Sequence, residues 1–481
     1  KHYRTVRLVD RLFFSVMPSR SRAEREWRVI GQIKKRAPDI FVPNAVAVGR
    51  RSRRGLIRES WLVLDEIAET EPLGDLLERD SVSESVCKSL VVELGRLTAR
   101  VAAVGLVHRD YHLGNILVVG KPARCRLALI DLHAARVGRR SCTGRRLERM
   151  VARMWYSLET CGIPAERCRV FAETVLGTDS PAVDRVRRLV TRVKLRHWRS
   201  RSKRCMKNST MFEQGVLPDG RYSVSREFGL ERLRRAVELH RAGSDGTVLT
   251  LKKSGQGHVT RVDLNGYGQV CVKEVRAVGI RKWIKTIVRQ GRGRRAWTAV
   301  NGLAARGFAV PRPCGLMVDR NGPMKTTEYV VTQYLDKSPT LQDYVETREY
   351  GESSPARKRA FTDAFARYLA MLHTRGVHQH DFKGNNVLVE ETDAGGWTFY
   401  LVDLDAVEFT SSVSKRRRVK NLAQLASALS NRVNAAQRFR FLRAYTRAAQ
   451  VEWNERTVVR RVIKMVKERG GPWRVPTVGG G

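Results

Sequence analysis

Two stretches of this sequence place carboxylates and amides at intervals that suit phosphoryl transfer. The first runs from Leu106 through His108, Arg109, Asp110 and His112 to Asn115, and an apolar run from Leu127 to Ile130 then ends in Asp131. Moving a phosphoryl group leaves a protein little covalent chemistry to do. It needs a carboxylate beside the acceptor hydroxyl and oxygen ligands that pin magnesium against the phosphates. Asp110 suits the first task; Asn115 and Asp131 suit the second.

The pattern returns in the second half. Asp381, Lys383 and Asn386 precede the apolar Val387 to Val389, and Tyr400, Leu401 and Val402 run into Asp403. The two aspartates of each copy are separated by nearly the same interval, and Lys1 and Lys273 stand equally far ahead of Asp131 and Asp403. A chance match would not keep both spacings, so the chain is read as a tandem repeat.

The elements that must position these residues repeat as well. Leu90, Leu94, Leu97 and Val101, like Phe361, Phe365, Leu369 and Leu372, recur at helical spacing, so each catalytic loop hangs from the end of an amphipathic helix. Earlier in each copy a helix holds Trp27 or Trp297 and leads to a proline-bearing strand, Val42 and Pro43 or Val310 and Pro311. An apolar run follows, Trp61 to Leu64 or Tyr329 to Val331, which fits a hinge strand beside an adenine or, alternatively, a buried edge strand.

Before Lys273 a strand, a turn with Gly255 and Gly257, and two further strands split by Asn265 and Gly266 predict a hairpin that covers phosphates. Nothing comparable precedes Lys1. The expectation is therefore a first module without this hairpin, its start incomplete or misassigned. After Asp131 and Asp403 no Ala-Pro-Glu follows, and the next helix is expected within about fifteen residues. That leaves no room for a long peptide-docking segment and favours a small or lipid-borne acceptor.

The 481 residues suffice for two or three domains. No run approaches the roughly eighteen uninterrupted apolar residues of a membrane span, and the N-terminus lacks the charged-then-apolar pattern of a signal peptide. Both readings lead to an expected cytoplasmic address. Eight cysteines are scattered without close pairing, which predicts reduced thiols rather than a zinc site or a disulfide scaffold. The 91 basic against 48 acidic residues give a net charge of +43, which favours polyanions or, alternatively, an Arg-rich solvated surface. No zinc finger, RNA-recognition signature or basic-region heptad is present, so nucleic acid is the less favoured polyanion.

On these residues both halves resemble the lipopolysaccharide kinase family that phosphorylates Kdo or heptose sugars of the bacterial inner core, a branch of the protein-kinase-like fold. The resemblance implies an α+β chain of two tandem bilobal modules: 1–205 the first, lacking its N-terminal hairpin, 206–245 a linker and lead-in helix, and 246–481 the second. It implies that Lys1 and Lys273 hold the phosphates of ATP, that Glu26 braces Lys1, and that the hairpin with Gly255 and Gly257 covers the nucleotide. Asp110 and Asp381 would be catalytic, with Lys383 neutralising the transferring group and His112 in the matching place of the first copy. Asn115, Asp131, Asn386 and Asp403 would bind magnesium. Ala296 stands where Glu26 does, so the second module must find another carboxylate or run with a looser lysine; Gln379 and His380 replace His108 and Arg109. The function implied is ATP-dependent phosphorylation of a sugar hydroxyl on an anionic glycolipid; the net charge of +43 adds the expectation of a peripheral place on the inner face of the cytoplasmic membrane. A protein serine/threonine kinase and a pseudokinase or anion-binding scaffold stay open beside it.

Overall fold

The computed structural model describes residues 1–4, 14–17, 21–79, 82–120, 126–243, 246–255, 257–278, 291–320, 322, 325–429 and 433–469. The chain divides into two compact units, Lys1–Arg196 and His197–Gly481. Each is kinase-like, with an antiparallel sheet and its helix leading to a helical part that carries the loop with Asp110 or Asp381. The division falls inside the helix Pro181–Ser202, ahead of the boundary expected at 205.

In the first unit, among the described residues, the upper sheet has three strands in the order His2–Arg4, Leu56–Leu64, Ala45–Arg53. Arg54 and Gly55, both at positive φ, make the tight turn between the last two strands. Ser21 accepts the Glu24 N–H and starts the helix Arg22–Arg36, whose buried face is Ala23, Glu26, Val29, Ile30 and Ile33. Its basic last turn, Lys34 to Arg36, suits the carbonyl end of a helix. Below it, the helix Glu84–Ala103 buries the predicted Leu90, Leu94, Leu97 and Val101 in a core shared with Gly144–Thr160 and Ala165–Leu176.

Among the described residues, the second unit has a seven-stranded sheet. Its order is Val248–Ser254, Gly257–Leu264, Gly268–Val278, Lys325–Gln333, Pro313–Arg320, Gly220–Ser225, Phe212–Leu217. The predicted hairpin ending at Lys273 is the first part of this order. In the stretch 206–245, expected to be a linker and lead-in helix, the helix is Leu230–Ala242, which buries Leu233, Ala236 and Val237 in that unit's upper core, and the part ahead of it is built into the sheet, where Gly220–Ser225 pairs with Pro313–Arg320. Its polar composition hid two strands whose burial does not alternate. The turn Pro218 and Asp219, closing on Gly220, was the legible signal.

The segments after Asp131 and Asp403 are short, with helices starting at Gly144 and Lys415. The seven described cysteines are free thiols, mostly buried, and Cys125 lies outside the described residues. No helix among the described residues is long and apolar enough to cross a membrane.

The two tryptophan helices differ in one respect. Trp27 is 37% exposed, whereas Trp297 is fully buried and its indole N–H donates to the Cys205 carbonyl at 3.3 Å. Trp297→Ala should therefore destabilise the second unit by about 3–5 kcal/mol, and Trp27→Ala should stay within about 0.5 kcal/mol. Urea denaturation of both variants checks this; equal losses would contradict it.

Candidate active site

A glycine turns each amphipathic helix into the loop expected to be catalytic. Gly105 and Gly376 have φ of 79° and 73°, and a Cβ there would lie 2.4 Å from the Arg140 carbonyl oxygen and 2.1 Å from that of Thr410. Only glycine fits both the backbone angle and the close approach. A short strand follows, Leu106–His108 or Val377–Gln379, and then the loop with Asp110 or Asp381.

The asparagines are held identically. Asn115 Nδ2 donates to the Asp110 carbonyl and Asn386 Nδ2 to the Asp381 carbonyl, each at 2.8 Å. An amide so anchored leaves its Oδ1 as the free ligand atom. The Asn115 backbone carbonyl accepts the Ile130 N–H at 3.0 Å and that of Asn386 accepts the Val402 N–H at 2.9 Å, which sets each asparagine beside the residue before the metal-type aspartate. Asp131 and Asp403 both take the left-handed conformation, φ 58° and 55°. A side-chain oxygen donor set of one amide and one carboxylate, repeated in both units, fits a hard divalent cation such as magnesium.

His108 ties loop to aspartate. Burial pushes its imidazole down to about 4, so the ring is neutral near pH 7. Nδ1 then accepts the Asp110 N–H at 3.1 Å, and the Nε2–H donates to the Asp131 carbonyl at 3.2 Å. Gln379, which replaces it, sends its Nε2 to the Asp403 carbonyl at 3.2 Å and keeps that link without a ring.

Each lysine lies on its aspartate. Lys1 Nζ is 3.1 Å from Asp131 Oδ1 and 2.7 Å from Glu26 Oε1. Glu26, with a side chain only 1% exposed, also accepts from Tyr3 Oη at 2.6 Å and from the Leu132 N–H at 3.1 Å. The hydrogen bond from His133, with the Lys1 ammonium, holds the Asp131 carboxyl well below the usual carboxylate range. In the second unit Lys273 pairs with Asp403 and lies 3.5 Å from Asp405 Oδ1, and Arg292 holds the other Asp405 oxygen. Burial pushes the Asp403 carboxyl up, but Lys273, Asp405 and Arg292 outweigh it and leave it lowered.

The second carboxylate that Ala296 calls for is thus Asp405. The two units solve one electrostatic problem with different parts: a helix glutamate and His133 in the first, a helix arginine and Asp405 in the second. Asp405, Arg292 and Tyr3 were not among the expected site residues. The place of Asp405, two after Asp403, was visible, but its partner Arg292 is distant in sequence.

Around Lys273 lies a cleft of about 370 Å³, lined by Lys252, Ser254 and Gly257 of the hairpin, by Val330 and Thr332 of the hinge-type strand, and by Asn386 and Asp403. Gly257 is a close-approach glycine, since a Cβ would meet the Glu274 carbonyl oxygen at 2.7 Å; Gly255 faces open space at the turn. Lys383 Nζ sits 3.0 Å from Asp381 Oδ2. His112 occupies the matching place more loosely, with Nε2 3.7 Å from Asp110 Oδ2 and Nδ1 accepting the Gly114 N–H. Helix Lys415–Ala428 clamps the second loop: Gln424 Nε2 donates to the His380 carbonyl and Asn421 Nδ2 to the Gln379 carbonyl, both at 2.7 Å.

The model of the lipopolysaccharide kinase (Kdo/WaaP) family matches residues 2–173 and again 275–445. The chain belongs to this family. Both sets of Asp, Asn and Asp fall within the matched segments, and Lys1 and Lys273 lie just ahead of them. The chain is 28% identical, over 160 residues, to the lipopolysaccharide core heptose(I) kinase WaaP of Pseudomonas aeruginosa; the match covers 32% of this chain and 59% of that relative. Among solved structures, WaaP in complex with acyl carrier protein is 21% identical, with a TM-score of 0.36, over 46% of this chain and 87% of that one.

The buried neutral His108 carries a pH signature of this family member's first loop. Its folded value, about 4, lies below its ordinary 6.5, so the unfolded chain binds the proton more readily between those values. Its contribution is full above pH 6.5 and is lost as pH falls towards 4, on the order of 3 kcal/mol in all. His108→Gln, which copies the second unit, should flatten that part of the acid denaturation profile while keeping the fold. An unchanged profile would show that His108 does not carry it.

Proposed function

We propose that this chain is an ATP-dependent phosphotransferase that phosphorylates a sugar hydroxyl on a lipopolysaccharide-core-like glycolipid. The observation that carries the reading is the doubled geometry: in each unit a lysine rests on a left-handed aspartate, beside an asparagine locked to the carbonyl of a second aspartate. In the second unit ATP enters the cleft beneath the Gly255 to Gly257 turn, with the adenine against the Lys325–Gln333 strand. Asn386 and Asp403, like Asn115 and Asp131 in the first unit, would hold magnesium, which would supply charge neutralisation at the phosphates. Lys273, resting on Asp403 in the free protein, turns to the phosphates when the nucleotide arrives, and Asp405 with Arg292 keeps it within reach. Asp381 accepts the proton of the acceptor hydroxyl, and Lys383 beside it offers positive charge to the transferring group. Asp110 has the same task in the first unit, with Lys1 braced by Glu26.

The short segments before Gly144 and Lys415 support a small or lipid-borne acceptor over a peptide. The net charge of +43 supports an acceptor presented on an anionic surface, to which each nearby Lys or Arg contributes on the order of 1 kcal/mol.

Positioning dominates this chemistry, and the hairpin shares a cleft with Lys273 and Asp403, so the second unit is assigned the larger share of turnover. With labelled ATP, magnesium and a panel of core glycolipids, Asp403→Ala should lower transfer by orders of magnitude, and Asp381→Asn should cost more than Asp110→Asn. Full activity of Asp403→Ala together with Asp131→Ala would sink the reading, and the reverse ranking of the two Asn variants would move the work to the first unit. Binding to anionic vesicles should fall steeply with salt; equal binding to neutral vesicles would remove the membrane part of the proposal.

A further inference from the structure

Behind the second catalytic loop lies a basic cavity that the phosphoryl-transfer reading does not use. It has a volume of about 970 Å³ and is bounded by the strand Val377–Gln379 and the helices Lys415–Ala428 and Glu455–Lys467. Arg416, Lys420, Arg461 and Lys464 line it, and none of these four has a carboxylate partner among the described residues. Two acids lie in the same region. Glu408 is already neutralised by Arg417 at 3.2 Å and hydrogen-bonded to His380 Nε2 at 3.0 Å, and Glu468 stands at the exposed end of the last helix. The first turn of a fourteen-residue helix also faces the cavity, adding the positive end of its dipole.

An independent observation singles out what is missing there. His378 lines the cavity at 1% exposure, and neither of its ring nitrogens has a hydrogen-bond partner. Burial, with His380 and Arg417 adding to it, pushes this imidazole down to about 4, so near pH 7 it is neutral and carries one N–H to donate. A buried donor left without an acceptor costs about 1–3 kcal/mol, which a ligand oxygen would recover.

His378, His380 and Glu408 could together ligate a metal, since their ligand atoms lie within 4.8 Å of one another. A divalent cation placed there would face the four unpaired cations and Arg417. The same surroundings attract an anion with several oxygens.

We propose that this cavity is a binding site for a phosphate-type oxyanion, with His378 donating its N–H and Arg461, Lys464, Arg416 and Lys420 neutralising the charge. The cavity is larger than one phosphate fills, which leaves room for a phosphorylated sugar. Because His380 lines the cavity and is followed by Asp381, and Gln424 ties the same helix to the His380 carbonyl, an occupant would sit against the catalytic loop.

Calorimetric titration of the full chain with inorganic phosphate, in chloride of matched ionic strength and without ATP, tests this. The chain should bind phosphate saturably. Arg461→Glu combined with Lys464→Glu, at two exposed positions that leave the core intact, should weaken binding about tenfold or more, and His378→Phe should weaken it in the same direction. Asp381→Asn should bind as the unmodified chain does, which separates this proposal from the one on turnover. Vesicles of phosphatidylcholine with a phosphorylated glycolipid, against vesicles with its unphosphorylated form, then distinguish the source: loss of the preference in the double variant assigns a lipid-borne phosphate, and a preference unchanged by it assigns the free ion. Absence of saturable binding, equal binding by the double variant, or binding of zinc in place of phosphate overturns the proposal.

Discussion

The geometry of each cleft depends on one ion pair, a lysine ammonium on the carboxylate of Asp131 or Asp403. An aspartate held in the left-handed conformation next to a second, almost fully buried carboxylate would be repelled unless a cation lay between them. The lysine supplies that cation, and the rest follows as support. Glu26, at 1% exposure, is held by Lys1, Tyr3 Oη and the Leu132 N–H, and Asp405 is held by Lys273 and Arg292. Removing one member of such a set leaves a buried charge uncompensated, which costs more than the intact pair contributes. This is why the helices Arg22–Arg36 and Arg292–Ala304 are fixed against the aspartate turns.

Much of this was legible in the sequence because the chemistry itself sets the spacing. A carboxylate, an amide on the same loop and a second carboxylate at the end of a following strand can meet only if the chain between them is short and regular, and both copies keep that arrangement. The lysine was also legible, from its equal distance to Asp131 and Asp403. What could not be read was the partner of Ala296's missing carboxylate. Arg292 and Asp405 meet only through the packing of a helix against a turn, and no local pattern marks such a pair. The hairpin Phe212–Leu217 and Gly220–Ser225 was hard to read for another reason: its burial does not alternate, with Val216 outward and Ser223 buried, so no period of two marks the strands and composition outweighed the turn signal at Pro218 and Asp219.

The exchange of His108 for Gln379 illustrates how far a loop can change without losing its frame. Both side chains reach the carbonyl of the following aspartate, at 3.2 Å in each unit. The histidine also accepts the Asp110 N–H, whereas Gln379 keeps a buried Oε1 without a partner. The second loop compensates from the other side, through Asn421 and Gln424 on the helix below it. Orientation of the loop that carries Asp110 or Asp381 therefore rests on backbone contacts in both units, and the side chains that make those contacts are replaceable.

The opposite placement of charge around the two lysines bears on whether the two halves could trade parts. A swapped segment would carry its helix away from the turn it is matched to. The Arg22–Arg36 helix beside Asp405 would bring Glu26 up against a second buried carboxylate with one lysine to share. The Arg292–Ala304 helix beside His133 would leave Lys1 with no brace beyond Asp131. Each helix is therefore matched in charge to its own turn, and the two halves are not interchangeable piece by piece.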